Sequence, residues 1–97
     1  MADVLLLPAA EADYQAALAW YLARSPRAAT RFDATVSDAL KRIADNPDLY
    51  GLIDDRHRPC ILRRFPYSVI YRIETSGILV VAIAHSRRSS SYWQRRV

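Results

Sequence analysis

"GILVVAIAH", residues 77–85, decides the fold. Its apolar side chains fall on both parities, with Ile78, Val80 and Ala82 set against Leu79, Val81 and Ile83. A strand with one wet face alternates apolar and polar residues. A run apolar on both sides therefore belongs at the centre of a sheet, covered at least in part on both faces. Regular alternation puts Val81, Ile83 and His85 on one face, and the histidine emerges where that face leaves the core.

Immediately upstream, "TSG" (75–77) makes a tight turn to an antiparallel strand over 67–75, and a further strand is expected over 59–65. Residues 47–58 are polar and turn-rich and read as the longest loop. Before them the apolar period changes from 2 to about 3.6. Ala29, Phe32, Val36, Ala39, Leu40 and Ile43 form one stripe of a helix over 26–45, which Ser25 can cap, Pro26 can begin and Asn46-Pro47 stops. Ala10, Tyr14, Ala17, Leu18, Tyr21 and Leu22 form the stripe of a helix from Pro8 to Arg24. Pro8 suits its first turn, and Glu11 and Asp13 suit the positive end of its dipole. Two helices with so short a break form an antiparallel hairpin, whose core should include Phe32 and Trp20 or Tyr21. "DVLLL" (3–7) is too short for a helix and is ended by Pro8, so it reads as a strand. The order β-α-α-β-β-β gives an α+β domain. Its helical hairpin packs on one face of a largely antiparallel sheet, and a short tail follows.

The 97 residues, 52% of them hydrophobic, make a single domain over 1–97 with enough apolar material for a core. The lone Cys60 excludes an internal disulfide and a cysteine-based zinc site, and reads as core filler. No phosphate loop, metal-spaced cluster or serine–histidine–acid arrangement is visible, so neither a metal nor a cofactor is expected. Asp54-Asp55 reads as a loop turn. No apolar run reaches the ~18 residues of a membrane span. The start "MADVLLLPAAEAD" has no basic leader and turns acidic at once. A cytoplasmic protein is expected.

Charge is divided unevenly. Residues 1–50 balance at −2 and residues 51–97 at +6. All nine bases of the second half are arginines, and Lys41 is the only lysine in the chain. Arginine presents a planar fork to phosphate or carboxylate and stacks on aromatic rings, so this half is suited to an anionic partner.

Around His85 the sequence places Arg87 and Arg88 at once, and Arg56, Arg58 and Arg64 are expected on the same rim. Tyr92 and Trp93 come within reach if the tail folds back. That set has the ingredients for RNA cleavage by a 2′-hydroxyl: His85 as base, Tyr92 as acid or stacking platform, and arginines for the charge on phosphorus. The same residues also suit a structural histidine, a Tyr92-Trp93 pair that packs the tail against the sheet, and a solvated, arginine-rich surface.

The elements and the tail together resemble the RelE/ParE superfamily of type II toxin–antitoxin toxins over essentially the whole chain. The pieces are "EADYQAALAWY", "RFDATVSDALKRIADNPDLYG", "RRFPYSVIYRI" and, most specific, "VVAIAHSRRSSSYWQRR". The resemblance implies the same fold and a growth-inhibiting protein neutralised by a cognate antitoxin, with no membrane partner. Its RelE-like members cut messenger RNA on the ribosome, whereas its ParE-like members block DNA gyrase and cut nothing. By motif, Arg88 (or Arg87) and Tyr92 match a catalytic arginine and tyrosine of the cutting members, with His85 as the added base. Arg63 and Arg64 match their RNA-orienting bases. Ser68, however, stands where those members place an arginine, and three serines loosen the tail between Arg88 and Tyr92. Both departures bring the chain closer to the ParE-like, plasmid-stabilisation branch. A gripping surface would then draw on Arg56, Arg58, Arg63, Arg64, Arg87, Arg88, Trp93, Arg95 and Arg96. Gyrase, ribosome-bound mRNA, or a nucleic-acid-binding or assembly role without toxicity are the targets in play.

Overall fold

Pro8 and Pro26 each occupy the first turn of a helix, where a missing N–H costs nothing. In the computed structural model, which describes residues 3–96, these helices are α1 (Pro8–Arg24) and α2 (Pro26–Asp45). Ser25 ends the first and caps the second, its hydroxyl accepting the Ala28 N–H at 3.2 Å. The strands are β1 (Val4–Leu6), β2 (Arg58–Ile61), β3 (Tyr67–Glu74) and β4 (Gly77–His85), and a one-turn helix, α3 (Ser91–Gln94), lies in the tail. The order is the expected β-α-α-β-β-β, an α+β fold.

The sheet runs β1-β4-β3-β2, with β1 parallel to β4 and the other pairs antiparallel. The apolar run of β4 is thus central, as its double-sided pattern requires. On one face the helical hairpin packs Phe32, Val36, Ala39 and Ile43 against Val69, Tyr71, Ile78, Val80 and Ile83, with Cys60 buried among them. Phe32 sits at the middle of an aromatic cluster, its ring 5.1–6.0 Å from those of Tyr14, Tyr21, Phe65 and Tyr67. Burial pushes the Tyr71 hydroxyl up to about 12. It donates to the Pro47 carbonyl at 2.6 Å and ties down the start of the long loop. On the other face a smaller cluster of Ile70, Val81, Ala82 and Ala84 is roofed by Trp93 from the tail.

Three expectations are corrected. First, β2 stops at Ile61 instead of running to 65. Arg64 takes φ 67° in the connection, and the Leu62 N–H bonds back to the Tyr67 carbonyl at 3.0 Å, turning the chain early. Second, Leu22 lies on the wet side of α1 and leaves the expected stripe; of Trp20 and Tyr21, Tyr21 is the one that packs against the core. Third, Val81 does not share a face with Ile83. The pairing slips between Ile70↔Ala82 and Tyr71↔Val80, leaving Val81 as a β-bulge. Val80 and Ile83 therefore both face the helices while Val81 and Ala82 both face away. That extra residue re-aims the end of β4, so His85 emerges on the helical side.

Gly77 shows how closely β1 approaches. It holds φ 143°, and a Cβ there would lie 2.8 Å from the Asp3 carbonyl oxygen, which accepts the Ile78 N–H. Gly77→Ala combines a disfavoured backbone with a clash against main chain. It should cost about 1–2 kcal/mol or more, read as a lower urea midpoint with an unchanged slope. A midpoint equal to the parent's would show that β1 is not held this tightly.

Candidate functional site

The bulge delivers His85 to the mouth of a cleft of about 380 Å³ between α1, the β3–β4 end of the sheet and the tail. Asp13, Trp20 and Tyr21 line it from α1, Tyr67 from β3, and Arg88 and Tyr92 from the tail. Tyr67 lies opposite His85 in register, their rings meeting edge to face at 5.0 Å.

The protonation geometry is informative. His85 Nδ1 accepts the Arg87 backbone N–H at 3.1 Å. An amide N–H can only donate, so in the neutral ring the proton sits on Nε2, which is then a donor and not a base. Tyr92 lies under Arg88, whose guanidinium carbon is 3.7 Å from the ring centre, with Arg96 at 5.0 Å. Burial, reinforced by Asp13, raises the Tyr92 hydroxyl above its ordinary value against the opposing pull of Arg88 and Arg96. The phenol stays protonated and gives up its proton less readily than a free tyrosine.

The tail is fixed at its far end. Arg96 donates to Asp13 at 2.7 and 3.3 Å and to the Val81 carbonyl at 2.9 Å, and Asp13 also accepts the Ile83 N–H at 3.1 Å. Beyond Leu7, whose N–H bonds to the Val80 carbonyl, β1 no longer covers this edge of β4. Asp13 and Arg96 supply the hydrogen bonds that a longer strand would have made.

The expected convergence of arginines is only partly realised. Arg88 lines the cleft, and Arg87, exposed, is tied to its mouth through the backbone N–H that His85 accepts. Arg58 lies opposite Tyr71, four positions along β3 from Tyr67 and so roughly 13 Å away. It donates to the Tyr50 carbonyl at 2.6 Å. Arg56 and Arg63 are exposed elsewhere, Arg64 lines a different groove, and Arg95 is exposed on the tail. Trp93 is only 4% exposed and stacks edge to face on His57 at 5.0 Å, so it anchors α3 and presents no surface to a target. Among the described residues no cluster of histidine, cysteine or carboxylate side chains could hold a metal ion. No helix there is long and apolar enough to cross a membrane. Asp54 is a turn residue, accepting the Arg56 and His57 N–H groups and the His57 ring. Burial opposes its ionisation, but those donors outweigh it and hold the carboxyl below its ordinary value.

A family model described as the ParE toxin of the type II toxin–antitoxin system parDE matches residues 4–90. The chain belongs to the ParE toxin family. No curated protein matches its sequence. Among solved structures it is similar to one titled the chromosomal ParDE toxin–antitoxin system from P. aeruginosa, with a TM-score of 0.76 and 19% identity. That likeness covers 88% of this chain and 96% of the other, and it bears on the fold.

In this ParE-family chain, sequence reasoning missed Asp13, Tyr67 and Trp20 as cleft residues. Tyr67 had a signal, since it stands directly before Ser68 in the motif "FPYSVIY". Asp13 had none, for its partner Arg96 lies 83 residues away.

Proposed function

We propose that this chain is a growth-inhibiting toxin, held in check by its cognate antitoxin, which acts by gripping DNA gyrase through the cleft and tail. The observation that carries this reading is the state of His85. With Nδ1 engaged by the Arg87 N–H, the cleft offers no free ring nitrogen to accept a proton. The raised Tyr92 hydroxyl is also poorly suited to be an acid. What remains is Arg88 beside an aromatic lining of Trp20, Tyr67 and Tyr92, with the exposed Arg87 next to it in the chain, and arginine and aromatic side chains dominate interface hot spots. Gyrase acts in the cytoplasm, and the chain would act there too.

One observation favours cutting instead: His85, Arg88 and Tyr92 do line a single cleft. Ribosome-dependent RNA cleavage is therefore the second reading. A single experiment separates the two. The chain is induced without antitoxin, and plasmid supercoiling and mRNA integrity are scored in the same cells. Gripping predicts a supercoiling defect with intact transcripts, and codon-phased breaks would select the nuclease. Among variants, Tyr92→Phe should be nearly silent, whereas Arg88→Ala should abolish growth arrest, a loss of about 1–2 kcal/mol or more in target binding. A cutting enzyme would instead lose roughly 10²-fold on Tyr92→Phe alone.

A further inference from the structure

Between the first half of α2 and the β2–β3 connection lies a second groove of about 500 Å³, sharing no lining residue with the His85 cleft. Arg27, Ala28, Arg31 and Ala34 are spaced along one flank of α2, with Arg64 and Phe65 opposite. The two alanines leave the floor shallow and apolar, and the half-buried Phe65 closes it. Three arginines stand around this floor, and among the described residues none of the three has an ionic partner.

Nothing in the fold calls for this arrangement. Arg27 and Arg31, one helical turn apart, repel each other. Arg64 holds φ 67°, a left-handed conformation costly for a residue with a Cβ and free for glycine. Its side chain is exposed and contributes no packing to offset that strain. Three uncompensated cations around an apolar floor, one on a strained backbone, describe a receptor for an anion-bearing ligand.

We propose that this groove receives an acidic segment of the antitoxin, with carboxylates on Arg27, Arg31 and Arg64 and an apolar side chain between them on the Ala28–Phe65 floor. This rests on the toxin reading above and adds where, and by what chemistry, the antitoxin holds. The groove suits a peptide better than a nucleic acid. The basic spot is short, since Asp33 and Asp38 follow on the same helix and interrupt any path for a polyanionic backbone. Phe65 is the one aromatic ring lining the groove and is held edge to face with Tyr21 and Phe32 at 5.2 and 5.3 Å, so successive bases would find no row of rings to stack on. The same aromatic cluster, through Tyr21 and Tyr67, walls the groove off from the His85 cleft. The antitoxin can therefore be held here without touching the residues that grip the target.

The test titrates the full chain with the antitoxin encoded beside it, at low and high salt. The Arg27→Gln/Arg31→Gln double variant should bind about ten-fold or more weakly with a flatter salt dependence. Without antitoxin it should still arrest growth. Arg64→Gly should also weaken binding while its thermal midpoint stays level or rises, which separates a lost contact from a damaged fold. Wild-type affinity in both variants would overturn the proposal. So would unchanged antitoxin affinity with weakened binding of a defined duplex oligonucleotide, which would assign the groove to nucleic acid. A wild-type chain that does not bind the antitoxin at all would overturn the toxin reading itself, and this groove's occupant with it.

Discussion

Phe32→Ala should destabilise the domain by about 3–5 kcal/mol, the range for truncating a fully buried phenylalanine. Phe32 has no exposed surface, and its ring touches rings from α1, from the β2–β3 connection and from β3. The cavity would open where three elements meet, so none of them can collapse alone to fill it. Edge-to-face pairs with Phe65 and Tyr67 would be lost as well, each worth about 0.5–1.5 kcal/mol beyond area. A domain of this size has roughly 5–15 kcal/mol in total. The measurement is the urea midpoint of the purified chain, with Leu40→Ala as the comparison. Leu40 is only half-buried and should cost visibly less. Equal losses at the two positions would mean that the aromatic cluster is not the centre of the core.

The second large effect is expected from Asp13→Ala. Its carboxylate satisfies the Ile83 N–H and both terminal nitrogens of Arg96. Removing it leaves a buried main-chain donor and a largely buried guanidinium short of partners, at about 1–3 kcal/mol for each. A combined loss of about 2–6 kcal/mol follows, and the tail should come loose before the rest unfolds. Asp13→Asn keeps an acceptor for the N–H but gives up the ionic pair, and should lie between the two. Limited trypsin digestion reads the tail directly, because Arg88 and Arg95 become cleavable once α3 undocks. A protected tail in Asp13→Ala at wild-type stability would rule out Arg96 as its anchor.

The helices were legible almost to the residue because their signals are local. Pro8, Ser25-Pro26 and Asn46-Pro47 state in two or three residues where each helix begins or stops. The centrality of β4 was legible for a related reason, since its pattern over nine residues reports on both of its surroundings. The Val81 bulge was not, because a register slip depends on how β3 and β4 fit each other and leaves both apolar patterns intact. That one residue decides which side of the sheet His85 serves. The arginines were counted correctly but grouped wrongly. Arg64 is expected on the rim of His85 if it lies on a strand running to 65, whereas the strand ends at Ile61 and the turn at the left-handed backbone of Arg64 delivers it to Arg27 and Arg31. Trp93 in its polar tail suits surface or packing equally, and its burial follows from the Ile70, Val81, Ala82 and Ala84 cluster it covers and the His57 ring beside it.

The parallel pairing of β1 with β4 has a consequence in time. Val4 finds its partner, Ile78, only once β4 has been made, and the edge of β4 is completed later still by Arg96. While the ribosome is still translating, the hairpin of α1 and α2 can form from local contacts, but its sheet-facing stripe has nothing to cover it. A message broken anywhere before the codons for β4 would yield a chain with neither cleft nor core. The cell is therefore exposed to a finished cleft only once the tail has emerged, whereas every residue lining the groove beside α2 is made before β4 begins. The partner of that groove is thus offered its contact residues before the target is offered a cleft.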